Sequence, residues 1–167
     1  MKPFLCILVI VFASIAAEGA SKALSVKLAI DGSAYRITDG VTIRASLTNV
    51  GEEPLTIYKP LMWGYLGGLV LEIMDSSRHK VEPAQYDDDL LIPSTLADSA
   101  SFIDVLPGHS LKVIRRDKAK NLFGKPGNYV VRVKYRSPVS NKYFAKSPHW
   151  STEDGWIESV PVSVKIK

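Results

Sequence analysis

Cysteine is almost absent from this chain of 167 residues, and its absence removes several classes of protein at once. The one cysteine, Cys6, lies within an apolar stretch near the N-terminus. We therefore expect a main body without a disulfide framework, a thiolate-bound zinc ion, a catalytic thiol or an iron–sulfur cluster. Packing alone must hold this body together, which about 147 residues can do as one domain.

Long runs of one charge are scarce as well. The formal net charge is +4, both signs are interspersed, and the longest run of like charge is Asp87-Asp88-Asp89. Three consecutive aspartates alternate in direction and no Asp-x-Asp-x-Asp-Gly loop is present, so we interpret them as a solvated loop rather than a calcium site. Because a nucleic-acid binder concentrates its basic residues on one face, the interspersed charges predict no nucleic-acid partner.

The sequence also lacks the common catalytic motifs. The three histidines, His79, His109 and His149, are far apart and each falls in a predicted turn, whereas zinc hydrolases space their ligands closely. No Gly-x-Ser-x-Gly elbow and no Gly-x-x-x-x-Gly-Lys phosphate loop occurs. These absences predict a protein that is not an enzyme and holds no metal or cofactor.

The N-terminal residues have the three-part layout of a secretory signal peptide. Lys2 gives a positive start, residues 4–17 are apolar, and small residues follow up to Ala20. The apolar run of about 14 residues is shorter than the roughly 20 that a membrane-spanning helix needs, so no stable membrane insertion is expected. The body contains no Asn-x-Ser/Thr sequon. We predict a signal peptide over residues 1–20, cleaved after about residue 16–20, and a secreted or periplasmic protein.

The remaining residues, 21–167, show the period-two alternation of half-buried β-strands and no long helical period. A single helical turn is expected over 117–122, and residues 84–100 form a long connection without clear periodicity. The sequence therefore predicts one all-β domain, with strands over residues 24–30, 41–48, 55–58, 68–74, 80–82, 101–105, 111–114, 129–135 and 160–166.

Two local patterns favour a particular all-β architecture. Pro107 and Gly108 form a turn before one strand, and Tyr129 opens the next strand two residues before Val131. In immunoglobulin domains a tyrosine stands two residues before a cysteine and bonds the preceding loop through its hydroxyl. We predict an immunoglobulin-like antiparallel β-sandwich of about seven to nine strands, with structural roles for these four residues and no disulfide.

Three turn motifs extend this interpretation to a family resemblance. They are Thr48-Asn49-Val50-Gly51-Glu52-Glu53-Pro54-Leu55, Leu106-Pro107-Gly108-His109-Ser110, and Gly127-Asn128-Tyr129 with Tyr135. In this order they resemble the immunoglobulin-like accessory domains that precede deuterolysin-type metallopeptidases, and small bacterial inhibitor-type sandwiches. The resemblance covers about residues 24–166 and implies a fold. Deuterolysins carry zinc in a separate catalytic domain, so the resemblance transfers no catalytic residue.

Aromatic residues in predicted connections are the candidates for binding. Such rings either contact a ligand or close the ends of the core. We expect a module that recognises a protein partner through these loops or through a sheet edge. One alternative is a proteinase inhibitor or peptidase-accessory domain that presents residues 58–68 or 137–155. Another is a carbohydrate-binding module that uses the three tryptophans. The candidate residues are Tyr58, Trp63, Tyr65, Tyr143, Trp150 and Trp156.

Overall fold

The structure is a computed structural model that describes residues 23–64, 67–84, 101–140, 150–151 and 154–167. The described residues form twelve strands and one short helix: β1 (Leu24–Ile30), β2 (Ala34–Tyr35), β3 (Gly40–Asn49), β4 (Leu55–Tyr58), β5 (Met62–Trp63), β6 (Gly68–Asp75), β7 (Lys80–Val81), β8 (Phe102–Val105), β9 (Ser110–Lys118), α1 (Ala119–Phe123), β10 (Gly127–Tyr135), β11 (Ile157–Glu158) and β12 (Val162–Ile166).

The predicted all-β class is confirmed, with one correction to the strand directions. Among the described residues, eight strands have four residues or more and four have only two. Strand β2 pairs with β12, and β5 with β6, in parallel rather than antiparallel orientation. The first of these pairs arises because the chain bends after β1 at Gly32, where φ is 107°, and then runs beside β12. An entirely antiparallel arrangement was therefore the wrong prediction.

One sheet, the small sheet, consists of β1, β3 and β9 in that order. Strand β3 buries Val41, Ile43, Ala45 and Leu47 and leaves the residues between them partly exposed, as its alternation predicts. Beyond the end of β3, strands β4 and β8 form a further antiparallel pair. Strand β4 follows β3 in the chain and β8 precedes β9. The β4–β8 pair therefore continues the two-stranded ribbon that β3 and β9 form within the small sheet.

Asn49 joins the two parts of that ribbon. Its side chain is fully buried, and its Nδ2 donates to the carbonyl oxygens of Glu53 and Val105 at 2.8 Å each. Its Oδ1 accepts a hydrogen bond from the Gly51 N–H at 2.9 Å. The Thr-Asn-x-Gly motif therefore satisfies polar backbone groups where the strand ladder is interrupted.

The other sheet, the large sheet, has the order β2-β12-β10-β6-β5, with β11 beside β10 and β7 beside β6. Tyr129, Val131, Val133 and Tyr135 point from β10 into the core shared with the small sheet. At the start of the last predicted strand the prediction was wrong. Val160 is 82 % exposed because it lies between β11 and β12, outside both ladders.

Two expected local features are present, the hydrogen bond of the Tyr129 hydroxyl and the turn at Pro107–Gly108. The Tyr129 hydroxyl lies 2.8 Å from the carbonyl oxygen of Lys125 and 3.1 Å from that of Phe123, so it bonds the loop before its own strand as expected. At the Pro107–Gly108 turn, Gly108 has a φ of 76° and the His109 N–H donates to the Leu106 carbonyl at 2.9 Å. Glycine at this position avoids the strain of a left-handed backbone.

Candidate functional site

The structure separates the six candidate aromatic residues into three groups. Tyr58 and Trp63 are 1 % exposed and Trp150 is 6 % exposed, so these three rings belong to the interior. Trp156 is only partly buried. Tyr65 and Tyr143 lie outside the described residues.

Trp63 is buried because its segment folds back onto the large sheet. Strand β5 pairs with β6 and places Trp63 opposite Leu69, whose side chain is fully buried. The return depends on Gly68, where φ is 86° and a Cβ atom would lie 2.5 Å from the Arg136 carbonyl oxygen. Trp63 Nε1 has no hydrogen-bond acceptor among the described residues. The ring therefore fills the core, and residues 58–63 do not project as a binding loop.

Trp150 is buried at the β4 end of the same core. Its backbone N–H donates to the Thr56 carbonyl oxygen at 2.9 Å. Within the part of the chain that the structure describes, its indole Nε1 also has no acceptor. A sugar platform of Trp63, Trp150 and Trp156 would need at least two exposed rings, and only Trp156 is partly exposed. The expected platform is corrected accordingly, and core filling is the role that the structure assigns to Trp63 and Trp150.

Trp156 lies at the outer face of the large sheet and follows Asp154, whose carboxylate is bonded to Ser151. The Ser151 N–H and hydroxyl both donate to the Asp154 carboxylate, at 2.6 and 2.8 Å. Gly155 then adopts a φ of 77°, and the chain enters β11 beside β10. The Arg136 guanidinium carbon lies 6.0 Å from the centroid of the Trp156 ring, at the outer limit of a cation–π contact.

Four charged residues form a closed ring of ion pairs next to Trp156. The Glu158 carboxylate contacts Arg132 Nη1 at 2.7 Å and Lys134 Nζ at 2.8 Å. The Glu72 carboxylate contacts Arg132 Nε at 3.2 Å and Lys134 Nζ at 3.4 Å. The strand register aligns these residues on one face, because Arg132 is opposite Glu72 and Lys134 is opposite Glu158.

The ring favours the charged forms of Glu158 and Lys134. A hydrogen bond from Lys134, with a second from Arg132, lowers the pKa of Glu158 below its usual range. In return, the hydrogen bond to Glu158 raises the pKa of Lys134, and the nearby Glu72 adds to the effect. The ring therefore combines two positive and two negative charges that are paired with one another.

A small cavity of about 180 Å³ lies between the ion-pair ring and Trp156. Its floor includes Val70, an apolar side chain on the outer face of β6 that is only 4 % exposed. We call this region the Trp156 face, defined by Val70, Glu72, Lys80, Arg132, Lys134, Trp156 and Glu158.

The described residues offer no metal site of the usual kind. Among them, no group of three or more His, Cys, Asp or Glu side chains is placed to hold a metal ion. His79 and His109 are exposed, and His149 lies outside the described residues, as do Asp87, Asp88 and Asp89. In the described part of the chain, no helix has both the length and the apolar character needed to cross a membrane.

Sequence reasoning named Trp156 as a candidate and missed the ion-pair ring. Arg132 and Lys134 stand at alternate positions of β10, which is a visible sign of one shared face. Their acidic partners come from β6 and β11, tens of residues away, and only the strand register brings them together. No local pattern could have paired them.

Comparison with known proteins adds little to this description. No protein-family model matches the chain, and no curated protein matches it. A solved structure of a β-glucosidase from Erythrobacter marinus is similar at a TM-score of 0.42 and 14 % sequence identity. The match covers 86 % of this chain and 15 % of the β-glucosidase. A similarity at this level assigns neither a fold family nor an activity to the chain.

Proposed function

We propose that this protein is a non-catalytic binding module that recognises a protein partner through the Trp156 face. The observation that carries the proposal is a partly exposed tryptophan beside an apolar floor and a ring of fixed charges, all on one sheet surface. We also propose that the all-β fold is an immunoglobulin-like sandwich. The Tyr129 hydroxyl bond to the preceding loop supports that assignment.

The size of the cavity favours a protein over a small molecule. At about 180 Å³ it is smaller than the roughly 300–1,000 Å³ of typical small-molecule pockets. It has the scale of a recess for one inserted side chain. Tryptophan and arginine are enriched among the residues that dominate protein–protein binding, and both are present here.

The ion-pair ring supplies a means of selecting the partner. Its four charges cancel in sum but alternate in sign across the surface, so a partner must present the complementary order. Wrong juxtapositions of like charge are costly, which makes such a pattern more useful for specificity than for affinity.

The place of action that we propose is outside the cytoplasm, in the periplasm or the medium. The apolar residues 4–17 with a preceding Lys2 support export. A proteinase inhibitor is supported by the family resemblance alone. In one of its two candidate loops, residues 58–68, Trp63 is buried and Met62–Trp63 pair with β6, so the Trp156 face carries the proposal instead.

Affinity capture with matched variants tests the proposal. Tagged full chain retains partners from an extract of the source organism, beside Trp156→Ala and a control, Lys125→Ala, at an exposed residue before β10. Any retained protein is then purified and titrated against all three chains. We expect Trp156→Ala to weaken binding by about 30-fold, the effect of losing a dominant contact of roughly 2 kcal/mol. Lys125→Ala should bind like the native chain.

Two outcomes would contradict the proposal. Equal binding by all three chains would place the partner elsewhere on the surface. Capture of no protein by the native chain, together with inhibition of a proteinase in a titration, would favour the inhibitor alternative.

A further inference from the structure

The outer face of the small sheet is strongly basic. Side chains at alternate positions of a strand share one face, and the register of β1, β3 and β9 aligns these positions across the sheet. Five cationic side chains occupy this outer face, one on β1, one on β3 and three on β9. We call it the basic face, defined by Lys27, Arg44, Lys112, Arg116 and Lys118.

One carboxylate opposes these cations within the described residues of the face. Asp31, which directly follows β1, forms an ion pair with Arg44, whose guanidinium donates a hydrogen bond to its carboxylate. This hydrogen bond lowers the pKa of Asp31, and the charge of Arg116 lowers it further. The other four cations form no ion pair with any described residue. The face therefore has a large positive excess, although the charges of the whole chain nearly balance.

This concentration arises from the strand register and not from a run of basic residues, and the expected absence of a nucleic-acid partner stays a prediction. Along the chain, acidic and basic residues are interspersed, and no basic run exceeds two residues. In β9 the outward positions hold Lys112, Arg116 and Lys118, while the inward positions hold Arg115, which is buried, and Asp117, which is partly buried. The one acidic residue of this strand therefore takes an inward-facing position, where it pairs with Arg115.

The cations are spread in two dimensions over an open surface. Strands are about 4.8 Å apart and alternate residues about 7 Å apart, so the register places neighbouring cations roughly 7–10 Å from one another. From Lys118 to Lys112 the array extends about 20 Å along the strand. Across the sheet, the array extends from Lys112 on β9 to Lys27 on β1. Both residues pair with Ser46 of β3, which lies between them.

Small and apolar groups fill the space between the cations. Thr42, Ser46 and Thr48 lie along the centre of the face, and Ile114 is 47 % exposed opposite Arg44. At one end, a shallow depression of about 640 Å³ is lined by Gly40, Val41, Thr42, Arg116, Asp117, Lys118 and Asn121. Asp117 is held there by hydrogen bonds to Arg115 and Asn121.

We propose that the basic face binds flat against an anionic membrane surface, contacting phosphate-bearing lipid headgroups without inserting into the bilayer. Each lysine or arginine near an anionic bilayer contributes to binding, and several such side chains together give stable attachment. The aliphatic stems of these side chains and Ile114 lie in the same plane, which suits the boundary between headgroups and acyl chains.

The same features disfavour nucleic acid as the occupant. None of the residues that the strand register places on this face is aromatic, so the stacking platforms typical of proteins that bind single-stranded nucleic acid are missing. The face is an open sheet rather than a groove, and its cations form a two-dimensional array rather than a single track along a backbone. A planar array of headgroups matches this arrangement better than a linear polyanion does.

Vesicle binding tests the proposal. The full chain, expressed in a host that processes export signals and with its N-terminus read by mass spectrometry, is mixed with phosphatidylcholine vesicles. One set contains about 30 % phosphatidylglycerol and the other none, at about 0.05 M salt where screening is weak. We expect binding to the anionic vesicles, little to the neutral ones, and release as the salt concentration is raised.

Matched variants separate the basic face from net charge. Lys112→Gln with Arg116→Gln removes two cations from the face, and Lys27→Gln with Lys118→Gln removes two others. Lys125→Gln with Lys165→Gln removes two exposed cations outside it. Each face variant should bind roughly 30-fold more weakly, which corresponds to about 1 kcal/mol for each cation, while the outside variant should bind like the native chain. Circular dichroism verifies that each variant is folded, and the comparison with the outside variant needs only one folded face variant.

Several results would overturn the proposal. Equal losses of vesicle binding in the face variants and the outside variant would show that net charge, and not the basic face, determines binding. Failure to bind anionic vesicles at low salt would exclude membrane attachment. Binding to single-stranded DNA or to an acidic polysaccharide of equal charge density, but not to vesicles, would assign the basic face to a different polyanion.

Discussion

Replacement of Asn49 should destabilise this protein more than its small size suggests. The Asn49→Ala variant removes three side-chain hydrogen bonds of 2.8–2.9 Å from a fully buried site. Its backbone contacts remain possible, since the Asn49 N–H donates to His109 and its carbonyl accepts from Gly108. The change therefore isolates the side chain at the point where the strand ladder is interrupted.

The expected cost follows from the hydrogen bonds. Each intramolecular hydrogen bond contributes about 1 kcal/mol net, and a buried polar group left without a partner costs about 1–3 kcal/mol. Loss of the three bonds, with the Val105 carbonyl left in a buried setting, predicts a decrease of about 3–5 kcal/mol in the free energy of unfolding. Asn49→Asp should cost at least as much, because it places an oxygen where Nδ2 donates to two carbonyls.

Urea unfolding followed by far-ultraviolet circular dichroism measures this difference, provided that the slope with denaturant is unchanged. The matched control is Asn128→Ala, an exposed asparagine on β10 for which about 0.5 kcal/mol or less is expected. The reasoning would be refuted if Asn49→Ala lowered the free energy of unfolding by less than about 1 kcal/mol.

Three further predictions concern single side chains. Tyr129→Phe removes the hydroxyl that bonds Lys125 and should lower the free energy of unfolding by about 1–2 kcal/mol in the same assay, and a loss below about 0.3 kcal/mol would contradict this role. Trp63→Ala should cost about 3–5 kcal/mol and Trp156→Ala much less, since only the first ring is fully buried, and reversal of that order would contradict the assignment. Glu158 has a pKa lowered by the two cations that face it, so it stabilises the fold above its unfolded-state pKa and loses this contribution as the pH falls. Glu158→Gln should therefore reduce the decline in stability between about pH 5 and pH 3, and an unchanged decline would show that the ion-pair ring does not stabilise the fold.

The strands were predictable because the chain alternates clearly within them. Residues 24–30 and 55–58 were assigned to their full length, since each pattern and its flanking turn are local. The Tyr129 bond was also predictable, because donor and acceptors lie within six residues of one another.

The candidate sites were less predictable because they depend on pairing between distant strands. Trp63 is buried because β5 pairs with β6, and the local sequence around Trp63 does not reveal this pairing. The basic face likewise needs the alignment of β1, β3 and β9, although the shared parity of Lys112, Arg116 and Lys118 was visible within one strand. The alternation showed which residues share a face, and only the sheet order showed which faces meet.

The most direct test of the account is a photo-cross-linking measurement in the source organism. A benzophenone side chain is introduced in place of Trp156 in one strain and in place of Lys125, an exposed residue outside both proposed faces, in another. The account predicts that one protein is cross-linked at the Trp156 position and is absent at the Lys125 position. Cross-links at Trp156 that are no more frequent or specific than those at Lys125 would contradict the claim that the Trp156 face recognises a protein partner.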